Sequence, residues 1–280
     1  MKTDFMKLIK RDNQLKAGLI GLLIILIIII FSPLIANFDP YEFGDFPLAK
    51  ISEEGHILGT NHLGQDVFSM IVYGTKTSVK VAVVSALISG VIGIIIGGIA
   101  GYFGGVVDRV LSEVINIFMM LPTFFLILMI IALFGSSITN VMIVIGLTTW
   151  PSNAKLMRAQ AMSLRERTFV KSAISMGETK KQILFKYIIP NGIYPVISNT
   201  TVGMANAILT EAGLSFLGLG DPNTISWGQM IFEGKQYITN AWWISTFAGI
   251  AIVLTVTCFY LLGDGLNRVL NPKNLSRGGK

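Results

Sequence analysis

The sequence predicts an all-α polytopic membrane bundle of six transmembrane helices. Of its 280 residues, 52% are hydrophobic and only 14% are charged, whereas a soluble domain carries about 25% charged residues. The mean hydropathy is +0.66, and the apolar residues gather into stretches that approach the roughly 20 residues of helix a ~30 Å hydrocarbon core requires. The cations are distributed unequally. With the N-terminus inside, 18 of the 22 lysines and arginines fall on the inner side of the spans, as the positive-inside rule expects of cytoplasmic segments. Membrane topology thus accounts for the net charge of +6 without nucleic acid.

The first span covers residues 17–36, free of charge and longer than the ~7–15-residue apolar region of a cleavable signal peptide. No A-x-A pattern follows, so the span is expected to be retained. An outer segment runs from Asn37 to about Ser78, rich in Asp39, Glu42, Asp45, Glu53, Glu54 and Asp66, and broken by Pro40, Gly44, Pro47, Gly55 and Gly59. It predicts a loop followed by a short helix. The second span, 79–101, carries Gly93, Gly97 and Gly101, and Gly105 continues the four-residue spacing. All four fall on one helix face, where a neighbouring backbone can approach. The third span, 110–134, contains Pro122, which frees a carbonyl four residues back and predicts a kink near Phe118. The fourth, 138–154, is short and includes Trp150 and Pro151. The fifth and sixth are 191–211 and 244–265.

Glu113, Glu211 and Asp264 lie near span ends, close enough to an interface to reach water, so none is expected to be a midplane proton carrier. Trp227, Trp242 and Trp243 are predicted interfacial anchors. Leu214–Gly220 is apolar, but Gly218, Gly220 and nearby Pro222 make a continuous helix unexpected; the segment is predicted to pack over the outer ends of the spans. Cys258, the single cysteine, allows no intramolecular disulfide and no cysteine cluster, and is read as a packing residue. His56 and His62 stand six apart, which is not a helical metal-ligand spacing. No metal and no cofactor is expected.

The loop between the fourth and fifth spans, Lys155 to Pro190, is long for a plain connection. Val170, Ala173, Ile174 and Gly177 fall at i, i+3, i+4 and i+7, a narrow face of small and apolar residues. Lys171, Ser172, Ser175 and Glu178 occupy other faces. Such a short amphipathic helix suits a groove on a partner or an anionic lipid surface, and residue type alone favours neither. Gly177 is predicted to end it, with a new helix beginning in ETKKQILFKY.

Ala173, Gly177, Tyr187, Ile189 and Pro190 together resemble the cytosolic E-A-A-x-x-x-G-x9-I-x-L-P motif of binding-protein-dependent ABC importer permeases. Arg158–Val170 (RAQAMSLRERTFV), Leu58–Ser78 (LGTNHLGQDVFSMIVYGTKTS) and Glu211–Ile231 (EAGLSFLGLGDPNTISWGQMI) are similar to runs of the dipeptide, oligopeptide and nickel permeases, the latter two to the C-type subunit. The resemblance implies a type I ABC importer transmembrane domain with a cytosolic coupling helix. Val170, Ala173, Ile174, Ser175, Met176, Gly177 and Glu178 would be its ATPase-coupling residues. It also implies residence in the cytoplasmic membrane with both termini cytosolic. The implied partners are a homologous second permease, two ATP-binding subunits and an extracytoplasmic solute-binding protein.

The implied division is 1–36 for the N-tail and first span, 37–74 for the extracytoplasmic loop, 75–265 for the permease domain and 266–280 for the cytosolic C-tail. The chain departs from the motif at Lys171, where the family has glutamate, at Ser172 in place of alanine and at Tyr187 in place of an aliphatic residue. Glu113 and Asn116 replace an arginine and an aspartate common in related permeases, which predicts the loss of a local ion pair.

No G-x-x-x-x-G-K-[ST] phosphate loop occurs, so ATP hydrolysis is assigned to other subunits. A secondary ion-coupled carrier, the alternative, should show inverted repeats and polar midplane residues. A membrane enzyme should show a motif such as H-E-x-x-H or G-x-S-x-G. Neither pattern is found. No motif marks the solute pathway, and the sequence does not choose among dipeptides, oligopeptides, nickel, metal chelates and oligosaccharides.

Overall fold

The computed structural model describes residues 12–270, and among them the regular structure is helical, with one isolated bridge between Thr60 and Asp66. The tail cations Lys2, Lys7, Lys10, Arg11, Lys273, Arg277 and Lys280 lie outside the described residues.

Helix α1 spans Asn13–Ile30, and the Asp12 carboxylate caps it by accepting from the Leu15 N–H at 2.9 Å. It ends short of the predicted limit because Pro33 has no N–H to offer the Ile29 carbonyl. The Ser32 hydroxyl donates to that carbonyl instead, at 3.1 Å, and the chain turns into the single-turn α2, Ser32–Ile35. Residues 37–66 form an irregular but tightly bonded segment. His56 Nδ1 lies 2.9 Å from Asp66 Oδ1, and Asn61 Oδ1 accepts from the N–H groups of Leu63 and Gln65.

Asp66 also caps α3, which runs unbroken from Val67 to Phe103. The expected short outer helix and second span are thus one 37-residue helix, with no proline to interrupt it. Gly93, Gly97 and Gly101 face α6, Ile138–Arg165, where a Cβ on any of them would collide with Asn153, Ala154 or Arg158. Gly105 does not extend this row. It begins α4 at φ 55°, with open space around it.

Helices α4, Gly105–Met120, and α5, Thr123–Phe134, meet at an 82° bend. The predicted kink near Phe118 is a full break three residues later. Proline sterically excludes the helical region for the residue before it, and Leu121 is extended at φ −78°, ψ 132°. Helix α6 continues through Pro151. It is long enough to cross a membrane but not among the strongly apolar helices, because Thr148, Thr149, Ser152, Asn153 and Lys155 interrupt its hydrophobicity. The strongly apolar spans are α1, α3, α10 and α12, with α4–α5 a fifth when the bent pair is counted as one.

After α7, Thr168–Ser175, come the short α8, Lys180–Gln182, a wider π-helical turn over Ile183–Ile188, and α9, Ile189–Gly192. Helix α10, Tyr194–Leu214, continues as a π-helical turn to Leu219. Helical geometry fails there at Gly218, φ 82°, so the break predicted within Leu214–Gly220 comes late in that segment. Helices α11, Trp227–Gly234, and α12, Trp242–Leu270, complete the described residues, with one 3-10 turn over Lys235–Tyr237 between them.

Helix α3 packs most extensively on α6, while α10 packs on α12 and α3, and α1 lies on α12. Arg268 near the end of α12 donates to Asp12 at 2.7 Å. Gly21 of α1 leaves room for the Cys258 sulfur, in keeping with its packing role. Two of the three predicted tryptophan anchors are instead buried struts. Trp227 Nε1 donates to the Ile71 carbonyl at 3.1 Å and Trp243 Nε1 to the Thr60 carbonyl at 3.2 Å; only Trp242 is exposed. An indole N–H taken out of water needs such a partner.

Candidate functional site

Helix α7 is short, and its C-terminal geometry is set by Gly177. At φ 82° this residue adopts the left-handed conformation that lets the Glu178 N–H reach the Ala173 carbonyl at 3.2 Å and the Gly177 N–H reach Ile174 at 3.0 Å. These two bonds form a Schellman cap. The predicted narrow face is divided between two environments. Val170 and Ala173 are fully buried against Tyr102, Met157, Ala161, Ile183 and Leu184 of the same chain. Ile174, Ser175, Met176 and Gly177 are exposed, and Glu178 is half-buried.

A period of 3.6 puts Val170, Ala173 and Ile174 on neighbouring rows, but the row occupied by the chain's own core stops at Ala173. The exposed apolar residues of this helix and of the turn that follows are Ile174, 52% exposed, Met176, 71% exposed, Phe169 and Phe185. Phe169 and Phe185 were not singled out from the sequence; their signal was a large aromatic residue in a loop rich in cations.

The departures from the resembled motif acquire partners. The Tyr187 hydroxyl donates to Glu178 Oε1 at 2.7 Å, and Lys186 Nζ lies 3.0 Å from the same oxygen. These two donors hold the Glu178 carboxyl below the usual carboxylate range, and the Glu178 carboxylate in turn raises the Lys186 ammonium. Lys171 Nζ approaches Glu166 Oε2 at 3.4 Å, an exposed pair of little energetic weight. Glu113 is exposed, and elsewhere on α4 Asp108 supplies a link to α6 through a two-pronged bond with Arg158, Nη2 to Oδ2 at 2.7 Å.

A second feature lies between α3, α6, α10 and the α4–α5 bend. It is a cavity of about 370 Å³ whose lining contains no ionisable side chain. Its polar wall includes Ser89 of α3, Thr148, Ser152 and Asn153 of α6, and Asn199 and Asn206 of α10. These positions were not predicted. The readable signal was the polar run TTWPSN within an otherwise apolar span. Glu211, expected near water, is instead 2% exposed and accepts from the Ser215 and Ser226 hydroxyls at 2.8 and 2.7 Å. Among the described residues, no three His, Cys, Asp or Glu side chains are grouped closely enough to hold a metal ion.

The sequence model of the family described as "Binding-protein-dependent transport system inner membrane component" matches residues 93–275, a stretch that contains the cavity-lining part of α6 and all of α7. The chain belongs to that family. The dipeptide transport system permease protein DppC of Escherichia coli (strain K12) is 41% identical over 277 residues, covering 96% of this chain and 92% of that protein. The di/tripeptide permease DppC of Pseudomonas aeruginosa (strain UCBPP-PA14) is 33% identical, over 96% and 91% respectively. The glutathione transport system permease protein GsiD of Shigella flexneri serotype 5b (strain 8401) is 34% identical, over 96% and 90%. A chain in a solved structure of inward-facing conformations of the MetNI methionine ABC transporter superposes with a TM-score of 0.58 at 19% identity, covering 72% of this chain and 96% of that one.

This binding-protein-dependent inner membrane component therefore has the helical fold of an ABC importer transmembrane subunit. Its surface helix α7 and its uncharged cavity are joined by the single helix α6.

Proposed function

We propose that this chain is one half of the translocation pathway of an ATP-driven importer of di- or oligopeptides. It would be non-catalytic, with separate ATP-binding subunits docking on α7 and a homologous permease facing the cavity to complete the pathway. The observation that carries this reading is the continuity of α6, which lines the cavity at Thr148–Asn153 and leads directly into the surface helix α7. Displacement of α7 by a closing pair of ATPases would be delivered to the cavity wall through α6. A nucleotide can shift this equilibrium only through its different affinity for the two arrangements, so the contact surface on α7 must change with the ATPase state.

The names of the relatives support a peptide as solute. The cavity supports it chemically: amide and hydroxyl side chains match the donors and acceptors of a peptide backbone. A bare divalent cation would favour carboxylate, imidazole or thiolate groups. The charge asymmetry of the loops supports cytosolic termini, with residues 37–74 offered to an extracytoplasmic binding protein, 75–265 forming the permease domain and 266–280 the C-tail. In this reading Val170 and Ala173 fasten α7 to its own chain, while Ile174, Ser175, Met176 and Gly177 meet the ATPase and Glu178 braces the turn.

The test is Met176→Asp combined with Ile174→Asp. Both side chains are exposed, so the permease should still fold. The ATP-binding subunits should no longer co-purify with it, and dipeptide uptake into proteoliposomes containing the full transporter should fall by about tenfold or more, as expected when charges replace an apolar anchor at the centre of an interface. Retention of the ATPases with normal uptake would refute the docking assignment.

A further inference from the structure

Asn153 is 3% exposed and bonds to two other helices at once. Its amide nitrogen donates to Ser89 Oγ of α3 at 3.1 Å. Its carbonyl oxygen accepts from Asn199 Nδ2 of α10 at 2.8 Å, with the Thr200 hydroxyl at 3.4 Å. Asn199 Nδ2 also lies 3.4 Å from Ser152 Oγ. Ser152 and Asn153 lie in the cavity wall and, in chain order, between Thr148 and the end of α6 that leads to α7.

The two junctions made by Asn153 differ in kind. Toward α3, beyond the bond to Ser89, α6 is locked by close packing along Gly93, Gly97 and Gly101, where the glycines let the backbone and Cβ atoms of α6 approach the α3 backbone directly. Toward α10, the clasp is made of side chains at the edge of the cavity, and Gly203 one turn further on faces open space. A backbone lock cannot open without separating close-packed helices. A side-chain amide bond beside a polar cavity can open more cheaply, because water or a solute amide can take the place of either partner.

We propose that Asn153 is a positioning residue for transport, a latch between the rigid α3–α6 pair and α10 that ties the opening of the cavity to the displacement of α7. This rests on the reading of α7 as the ATPase-docking helix. With the latch closed, α10 and α6 stay together along the cavity wall. When α7 carries α6 away, the Asn153–Asn199 bond is the one that yields. The amide hydrogen donor of Asn199, and not its bulk, is the feature the latch requires.

The experiment uses the full transporter in proteoliposomes with its binding protein, and compares Asn199→Ala, Asn199→Leu and Asn153→Ala. Asn199→Leu keeps about the size of the side chain and can neither donate nor accept a hydrogen bond. The readout is dipeptide taken up per ATP hydrolysed, measured only in complexes that retain their ATPase subunits, with hydrolysis in the absence of binding protein as a second measure. Both Asn199 variants should lower the ratio by about fivefold or more, the low end of ordinary coupling between sites, and should raise hydrolysis without binding protein. An unchanged ratio, or a loss confined to the two alanine variants, would overturn the latch. If Asn153→Ala does not assemble, the Asn199 pair decides alone. Met176→Asp with Ile174→Asp, run in parallel, fails by loss of the ATPases, so failure of the docking reading and failure of the latch remain distinguishable.

Discussion

Glu178 shows how a substituted motif residue can be absorbed by its surroundings. Tyr187, in place of an aliphatic residue, supplies the first of the two donors that depress its pKa, and Lys186 the second. The sign of the pH dependence follows. A carboxylate whose pKa is depressed by folding stabilises the fold above its ordinary value of about 4.3, and that contribution is lost as the pH falls through the folded value. Lys186 is raised, so its contribution is complete below its ordinary value of about 10.4 and is lost as the pH rises through the folded one. The clasp is intact between these limits. Tyr187→Phe removes the leading donor, so the acid midpoint for hydrogen-exchange protection of residues 178–187 should move to higher pH. An unmoved midpoint would show that the hydroxyl contributes nothing.

The α3–α6 pair depends on the absence of side chains at three positions. A Cβ on Gly97 would meet the Ala154 carbonyl oxygen and the Met157 Cβ, neither of which can move without the helix. Gly97→Ala should destabilise the purified protein by about 1–3 kcal/mol, the usual range for overpacking. Gly203 of α10 has nothing within 4 Å of the corresponding position, so Gly203→Ala should be neutral or stabilise by about 0.4–1 kcal/mol through the unfolded chain. Thermal denaturation in one detergent compares the two. Equal effects would contradict the packing account. The bend between α4 and α5 has the opposite origin, an imposed break at Leu121–Pro122, and residues on both sides of it, Phe118, Met119 and Thr123, line the cavity.

For the whole molecule, the charge split predicts which surfaces face which side. In a background with Cys258 replaced, a cysteine at Met176 should react with a membrane-impermeant maleimide only from the cytosol, and one at Phe43, 71% exposed in the segment 37–66, only from outside. Labelling of both from one side would reverse or abolish the topology. The α3–α6 pair and the α1–α10–α12 group meet along α3 and α10, with the cavity between α3, α6 and α10. Relative movement of the two groups would therefore change the cavity before it disturbed either interior.

Membrane embedding, the helical class and the existence of a surface helix at 168–175 were legible from composition, charge placement and apolar spacing, because these depend on local transfer free energies and on a fixed helical period. Gly177 as the helix stop was legible for the same local reason. The tertiary structure alone decided which part of α7 faces outward, since Val170 and Ala173 are claimed by Ile183 and Leu184, residues whose approach depends on the path of the intervening chain. It alone decided that Trp227 and Trp243 are struts and that Glu211 is buried, because a side chain's environment is set by the elements that close over it. It also brought Asn153, Asn199 and Ser89 together from three helices. Hydrogen bonding between residues 46 and 64 positions apart leaves no periodic trace in a single sequence.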